Sequence, residues 1–299
     1  MPQVNANGLT LEYESLGSAD DPALILIMGL GAQLVRWPLA FCEKLVARGF
    51  RVIRFDNRDI GLSTKFDEAP VPALSTLMAQ RLARLPMRVP YTLTDMAADT
   101  VALMDALQID RAHLVGTSMG GIIAQIVAAD YPQRVLSLTS IMSTSGNLAL
   151  PPPAPAASAM LMARAPHPNQ LEEYVQHGLK AMRVLGSPAA QFDEQRARER
   201  LITEVKRSYC PGGFARQMAA VIASGDRRAS LRRIKAPTMV IHGAEDPLIP
   251  PACGRDTAAN IPGAEFRIIP GMGHDLPPMF FDVLVDSIAS VAQRASKAA

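Results

Sequence analysis

Residues 23–28, 51–55, 112–117 and 135–142 are short apolar runs. Amphipathic segments separate them: residues 38–48, 93–107 and a stretch that starts near Met119. A strand that is apolar on both faces must be covered on both, so this alternation predicts a mostly parallel sheet flanked by helices, an α/β fold. Later runs at 238–242 and 266–269 extend the sheet, and residues 276–292 read as a terminal helix. Residues 2–6 and 9–16 around Asn7-Gly8 read as an antiparallel hairpin. A length of 299 residues is near the ceiling for a single core.

Two stretches break the alternation. Residues 64–90 carry Pro70, Pro72, Pro86 and Pro90 around a short helical pattern at 74–85. Residues 146–230 are longer and hold helical patterns at 171–183 and 191–206, the second with a charged run at 196–200 that reads as a solvated face. The segment Pro151-Pro152-Pro153-Ala154-Pro155 reads as a stiff linker. The expected organisation is a core of residues 1–145 and 231–299. A helical cap, 146–230, is inserted after the sixth strand, with a smaller insertion at 64–90.

Composition narrows the class. With 48% hydrophobic and 19% charged residues, the chain can bury a core and is not disordered. The charges are interspersed and nearly balanced at +2, which leaves no nucleic-acid footprint. Cys42, Cys210 and Cys253 lie far apart without CxxC spacing, as in a reducing compartment. The opening residues lack a signal pattern, and the longest apolar run, 23–35, contains Gly29, Gly31 and Gln33 and is too short for a membrane span. The expectation is a cytoplasmic protein, monomer or homodimer, with no metal-ligand spacing and no cofactor.

The chemistry begins at Gly116-Thr117-Ser118-Met119-Gly120, a G-x-S-x-G pattern between an expected strand and an expected helix. A serine in such a turn has positive φ, and the flanking positions must lack bulk where strand and helix nearly touch. A hydroxyl also needs a base and a group to orient that base. Asp246 follows the expected strand 238–242, and His274 follows 266–269. Parallel strands open their C-terminal ends on one edge, so Ser118, Asp246 and His274 can converge there. Glu245 is the alternative acid. His113 and His242 read as structural strand residues, His167 and His177 as surface residues of the insertion, and Trp37 as packing for the first helix.

The order Ser, Asp, His and the elbow resemble the α/β-hydrolase superfamily over nearly the whole chain. The segment Asp56-Asn57-Arg58-Asp59-Ile60-Gly61-Leu62-Ser63 resembles the family's D-x-R-x-x-G-x-S turn, where Arg58 and Asp59 tie down the backbone. That turn and the Pro270-Gly271-Met272-Gly273-His274 ending resemble the subgroup that contains aclacinomycin methylesterase. The resemblance implies hydrolysis of a carboxylic ester in a small molecule and does not fix which ester. Many relatives carry His-Gly before the oxyanion residue, whereas this chain has Met28-Gly29-Leu30. The histidine is gone from the loop's supporting bonds, but backbone donors remain, and the oxyanion hole is assigned to the amides of Leu30 and Met119.

Other chemistries on the same triad are cofactor-free perhydrolysis or haloperoxidation and carbon–carbon bond hydrolysis; a ligand-binding receptor is the non-enzymatic alternative. Asp275 stands after His274 where carbon–carbon hydrolases often carry an aromatic residue. Methionines near the expected active edge, among them Met28, Met119 and Met272, favour a flexible apolar pocket.

Overall fold

The computed structural model describes residues 2–70 and 73–298. The chain opens with β1 (Gln3–Ala6), β2 (Leu9–Leu16), β3 (Ala23–Ile27), α1 (Leu39–Val46) and β4 (Arg51–Phe55). It continues through α2 (Leu74–Leu82), α3 (Leu93–Ala106), β5 (Ala112–Thr117), α4 (Met119–Asp130) and β6 (Val135–Ile141). Five helices follow: α5 (Pro155–Met162), α6 (Leu171–Leu185), α7 (Glu194–Arg207), α8 (Pro211–Ser224) and α9 (Arg228–Leu231). The last elements are β7 (Thr238–Gly243), α10 (Pro251–Ala259), β8 (Glu265–Ile269) and α11 (Phe281–Ala298).

The strands form one sheet in the order β1-β2-β4-β3-β5-β6-β7-β8. β1 pairs with β2, and β2 with β4, in antiparallel fashion; every later pairing is parallel. The hairpin turns on Asn7 and Gly8, both at positive φ, the twist that suits a two-residue connection. Along β3 the side chains alternate between two cores. Ile25 and Ile27 pack with Leu114, Leu138 and residues of α3 and α4, while Leu24 and Leu26 pack with Val115, Ile141, α1 and α11. Double coverage explains why these strands read as continuous apolar runs. Trp37 is fully buried and stacks on Phe41 of α1, with ring centroids 5.7 Å apart.

The two irregular stretches meet each other. Leu77 of α2 packs against Met218, Ala219 and Ile222 of α8, with Leu161 of α5 and Leu30 at the margin of the same cluster. Pro72 lies outside the described residues. Residues 151–154 of the proline run lie outside helices and strands, as expected of a linker, but its last proline, Pro155, opens α5. A proline in the first helical turn lacks an N–H that would be unbonded there anyway. The charged run on α7 is largely solvated: Arg196 and Glu199 are exposed, and Ala197 turns inward against Val175, Leu179 and Leu201. Among the described residues, no helix is long and apolar enough to cross a membrane.

Candidate active site

The turn from β5 into α4 carries the strain that its sequence predicts. Ser118 sits at φ 54°, ψ −121°, a conformation that L-residues avoid. Its N–H donates to the Ile141 carbonyl at 2.9 Å, and its carbonyl accepts from the Ser143 hydroxyl at 2.8 Å, so both sides of the strained peptide are pinned. A β-carbon on Gly116 would lie 2.1 Å from the Gly120 carbonyl oxygen, and one on Gly120 would lie 2.0 Å from that of Ile27. Only glycines let the strand, the helix and the end of β3 approach this closely.

His274 and Asp246 arrive from the ends of β8 and β7. The His274 Nε2 is 3.1 Å from Ser118 Oγ, and its Nδ1 is 2.7 Å from Asp246 Oδ2. The other Asp246 oxygen accepts the N–H groups of Leu248 and Ile249, each at 2.9 Å. Burial pushes the Asp246 carboxyl up. The charge of His274 and hydrogen bonds from His242, His274 and the Ile249 amide outweigh burial and hold it well below the usual carboxylate range. Asp246 is therefore a fixed anion with both oxygens committed. Glu245 stays apart, its carboxylate accepting the Gly271 N–H at 2.6 Å.

The loop after β3 runs past the serine, since a β-carbon on Gly29 would lie 3.2 Å from Ser118 Cβ. Support for this loop comes from neighbours that replace the missing histidine. Asn57 Nδ2 donates to the Met28 carbonyl at 3.0 Å, and Gln217 Oε1 accepts the Gly31 N–H at 2.8 Å. The Leu34 N–H donates to Asp56 at 2.6 Å. Leu30 N–H has no acceptor among the described residues. Met119 opens α4, where helical geometry leaves the first amides without partners. Gly29, just before Leu30, and Met119 thus adjoin a serine whose hydroxyl oxygen lies 3.1 Å from His274 Nε2.

The remaining candidates fall into structural roles. His113 is buried, with Nδ1 2.8 Å from Ser137 Oγ. His167 is exposed and bonds Asn169 at 2.8 Å; His177 is half-buried on α6. Arg58 grips Asp99 through two bonds of 2.6 Å, and Asp59 is held by Arg216 at 2.5 and 2.7 Å and by the Tyr91 hydroxyl at 2.8 Å. Gly61, at φ 57°, lies so close to Asp56 that a β-carbon would overlap its carboxylate. Asp59, Asp67 and Cys210 come within ligating distance of one another, but the Asp59 oxygens are already taken by Arg216, Tyr91 and the Phe66 amide.

His242 is a residue that its strand position undervalues. It is fully buried, with Nε2 2.7 Å from the Ile249 carbonyl and 3.5 Å from Asp246. The carbonyl places the ring proton on Nε2, where it also faces the carboxylate. Its spacing of four residues before Asp246 was the available signal. Gln217 had none, because its partner Gly31 is 186 positions away. A groove of 1260 Å³ reaches His274 and is lined by Met182, Leu185, Arg200, Leu276 and Phe281.

A model of the alpha/beta hydrolase fold matches residues 22–277. The chain belongs to the α/β-hydrolase family. Its relatives within that family include rhodomycin D methylesterase DauP of Streptomyces sp. (strain C5), 30% identical over 316 residues that cover 98% of each protein. Among solved α/β-hydrolase structures, a hydrolase from Pseudomonas aeruginosa PA01 matches with a TM-score of 0.69 at 29% identity, covering 96% of each chain. The meta-cleavage product hydrolase CumD of Pseudomonas fluorescens IP01 matches with a TM-score of 0.77 at 17% identity, covering 99% of this chain and 98% of that one, a likeness of fold alone.

Proposed function

We propose that the protein is a serine esterase that cleaves small apolar carboxylic esters through an acyl-enzyme. The observation that carries this reading is the bridge made by His274, 3.1 Å from Ser118 Oγ on one side and 2.7 Å from Asp246 on the other. His274 takes the Ser118 proton as the oxygen attacks the ester carbonyl, and Asp246 fixes the imidazole tautomer and stabilises its cation. The amides of Leu30 and Met119 hold the tetrahedral oxyanion. His274 then gives the proton to the departing alcohol, and water, deprotonated by the same imidazole, releases the acid and restores Ser118.

Residues 1–145 and 231–299 serve as the catalytic core, and 146–230 with 64–90 as a cap. Substrate class is read from the groove that reaches His274, where Met182, Leu185, Leu276 and Phe281 supply apolar lining. Methionine adapts to varied shapes, so this wall favours apolar groups without demanding one. The methylesterase relative supports a methyl or other small alcohol.

The test is an ester series varied in acyl length and alcohol, run beside Ser118→Ala and a fluorophosphonate probe. The expected result is stoichiometric labelling of Ser118 and hydrolysis that the substitution abolishes. Hydrolysis that survives in Ser118→Ala overturns the reading.

A further inference from the structure

Three consecutive residues around the proposed base are held by one short segment of the inserted helices. The His274 main-chain N–H donates to the Leu185 carbonyl at 2.7 Å. One residue earlier, the Gly273 N–H donates to the Ser187 hydroxyl oxygen at 2.9 Å. One residue later, the Asp275 carboxylate accepts from that same hydroxyl and from the Ser187 amide. A fifth bond, from the Ala189 N–H to the Gly271 carbonyl at 3.2 Å, continues the pairing.

Steric evidence agrees. A β-carbon on Gly273 would lie 2.5 Å from the Gly186 carbonyl oxygen and 2.8 Å from that of Leu185. Ser187 is buried, and its hydroxyl both accepts and donates, so it has no rotational freedom left. Asp246 fixes only the ring's Nδ1 edge. The position of the His274 backbone, and with it the distance from Nε2 to Ser118, is set by residues 185–187.

We propose that Ser187 is a positioning residue for His274, acting through Gly273 and Asp275, so that the connection after α6 belongs to the catalytic apparatus and does not simply cover it. The inference rests on the esterase reading. A displacement of about 1 Å at a reacting group can cost as much as about 100-fold in rate, so a loosened clamp appears in turnover before it appears in binding. The pairing also limits how the inserted helices can open, because residues 185–189 must stay in place while the base is working.

The experiment compares Ser187→Ala, Asp275→Ala and the double variant with the unsubstituted enzyme. It reads kcat and KM on a soluble ester, the rate of fluorophosphonate labelling, and Tm. The expected result is a fall of roughly 10-fold in kcat and in labelling rate for each single variant, with KM within about 2-fold. The double variant falls no further than either single one, as expected for groups that act as one unit. Ser187→Thr, which keeps the hydroxyl, restores most of kcat; Asp275→Leu, which removes the acceptor at similar volume, stands in if Asp275→Ala does not fold. Wild-type kcat and labelling in Ser187→Ala overturn the proposal, as do losses in kcat that simply track a lowered Tm. Residual turnover in Ser118→Ala is the separate outcome that removes the esterase reading itself.

Discussion

Gln217, on a helix of the insertion, accepts the main-chain N–H of Gly31 at 2.8 Å through Oε1 and donates from Nε2 to the Arg58 carbonyl, also at 2.8 Å. One buried side chain thus joins the loop of the proposed oxyanion hole to the turn that follows β4. Gln217→Leu would leave a part-buried donor and a buried acceptor unpaired. The expected cost is about 2 kcal/mol of stability or more. The Leu30 amide would also be held less firmly, so kcat should fall roughly 10-fold to 100-fold, less than the loss of an oxyanion donor outright. Denaturant titration and steady-state kinetics check both figures, and an unchanged kcat would remove Gln217 from the account of the loop.

Ser118→Ala should lower kcat by roughly 10⁶, and Asp246→Ala by about 10⁴, since the base survives in the second variant but loses its orientation. Both variants should still bind a substrate-like ester. Turnover and equilibrium binding measured on the same preparations separate these effects; equal losses in the two variants would place Asp246 in a different role from the one assigned.

His113 supplies a prediction about acid. Burial, with a smaller contribution from the nearby Arg111 charge, pushes its imidazole down from 6.5 to about 4. Between those values the unfolded chain binds a proton that the folded one refuses. Its contribution to stability is therefore complete above pH 6.5 and is lost as pH falls toward about 4, by up to about 3 kcal/mol. His113→Gln should flatten the stability profile across this window. A wild-type profile that is level from pH 6.5 to 4 would contradict the assignment.

Gly116→Ala tests the elbow without touching a reacting group. Its added carbon would meet main-chain atoms of Gly120 and Gly121, which cannot swing aside as a side chain could. The expected outcome is a protein destabilised by about 3 kcal/mol or more, with slow fluorophosphonate labelling even where it folds. Near-native stability and labelling would show that strand and helix have room to separate.

The groups of the candidate site were legible in the sequence because each lies just beyond a strand end, where a local pattern names it. Gly116 and Gly120 mark the turn, and Asp246 and His274 follow apolar runs. The aliphatic cluster around Leu30 was visible only as scattered methionines and leucines in two separate insertions. Helix α8 was missed entirely. Its Pro211-Gly212-Gly213 opening looks like a loop, and its buried Arg216 and Gln217 interrupt the apolar period. Both side chains find partners far away in the chain, Asp59 and Gly31, and a local reading has no access to such distances. The same holds for Ser187, an ordinary serine until the fold brings it against Gly273 and Asp275.

Ser118 and His274 are 156 positions apart, with the insertion and three sheet strands between them. The bridge can therefore close only in a chain that has already docked β6, β7 and β8 in register, late among the steps that carry a long loop-closure cost. Until then the hydroxyl has no base and is chemically inert. Reactivity at this one oxygen should report complete folding: an intermediate with the first five strands assembled would already carry much of the native secondary structure and still ignore the fluorophosphonate.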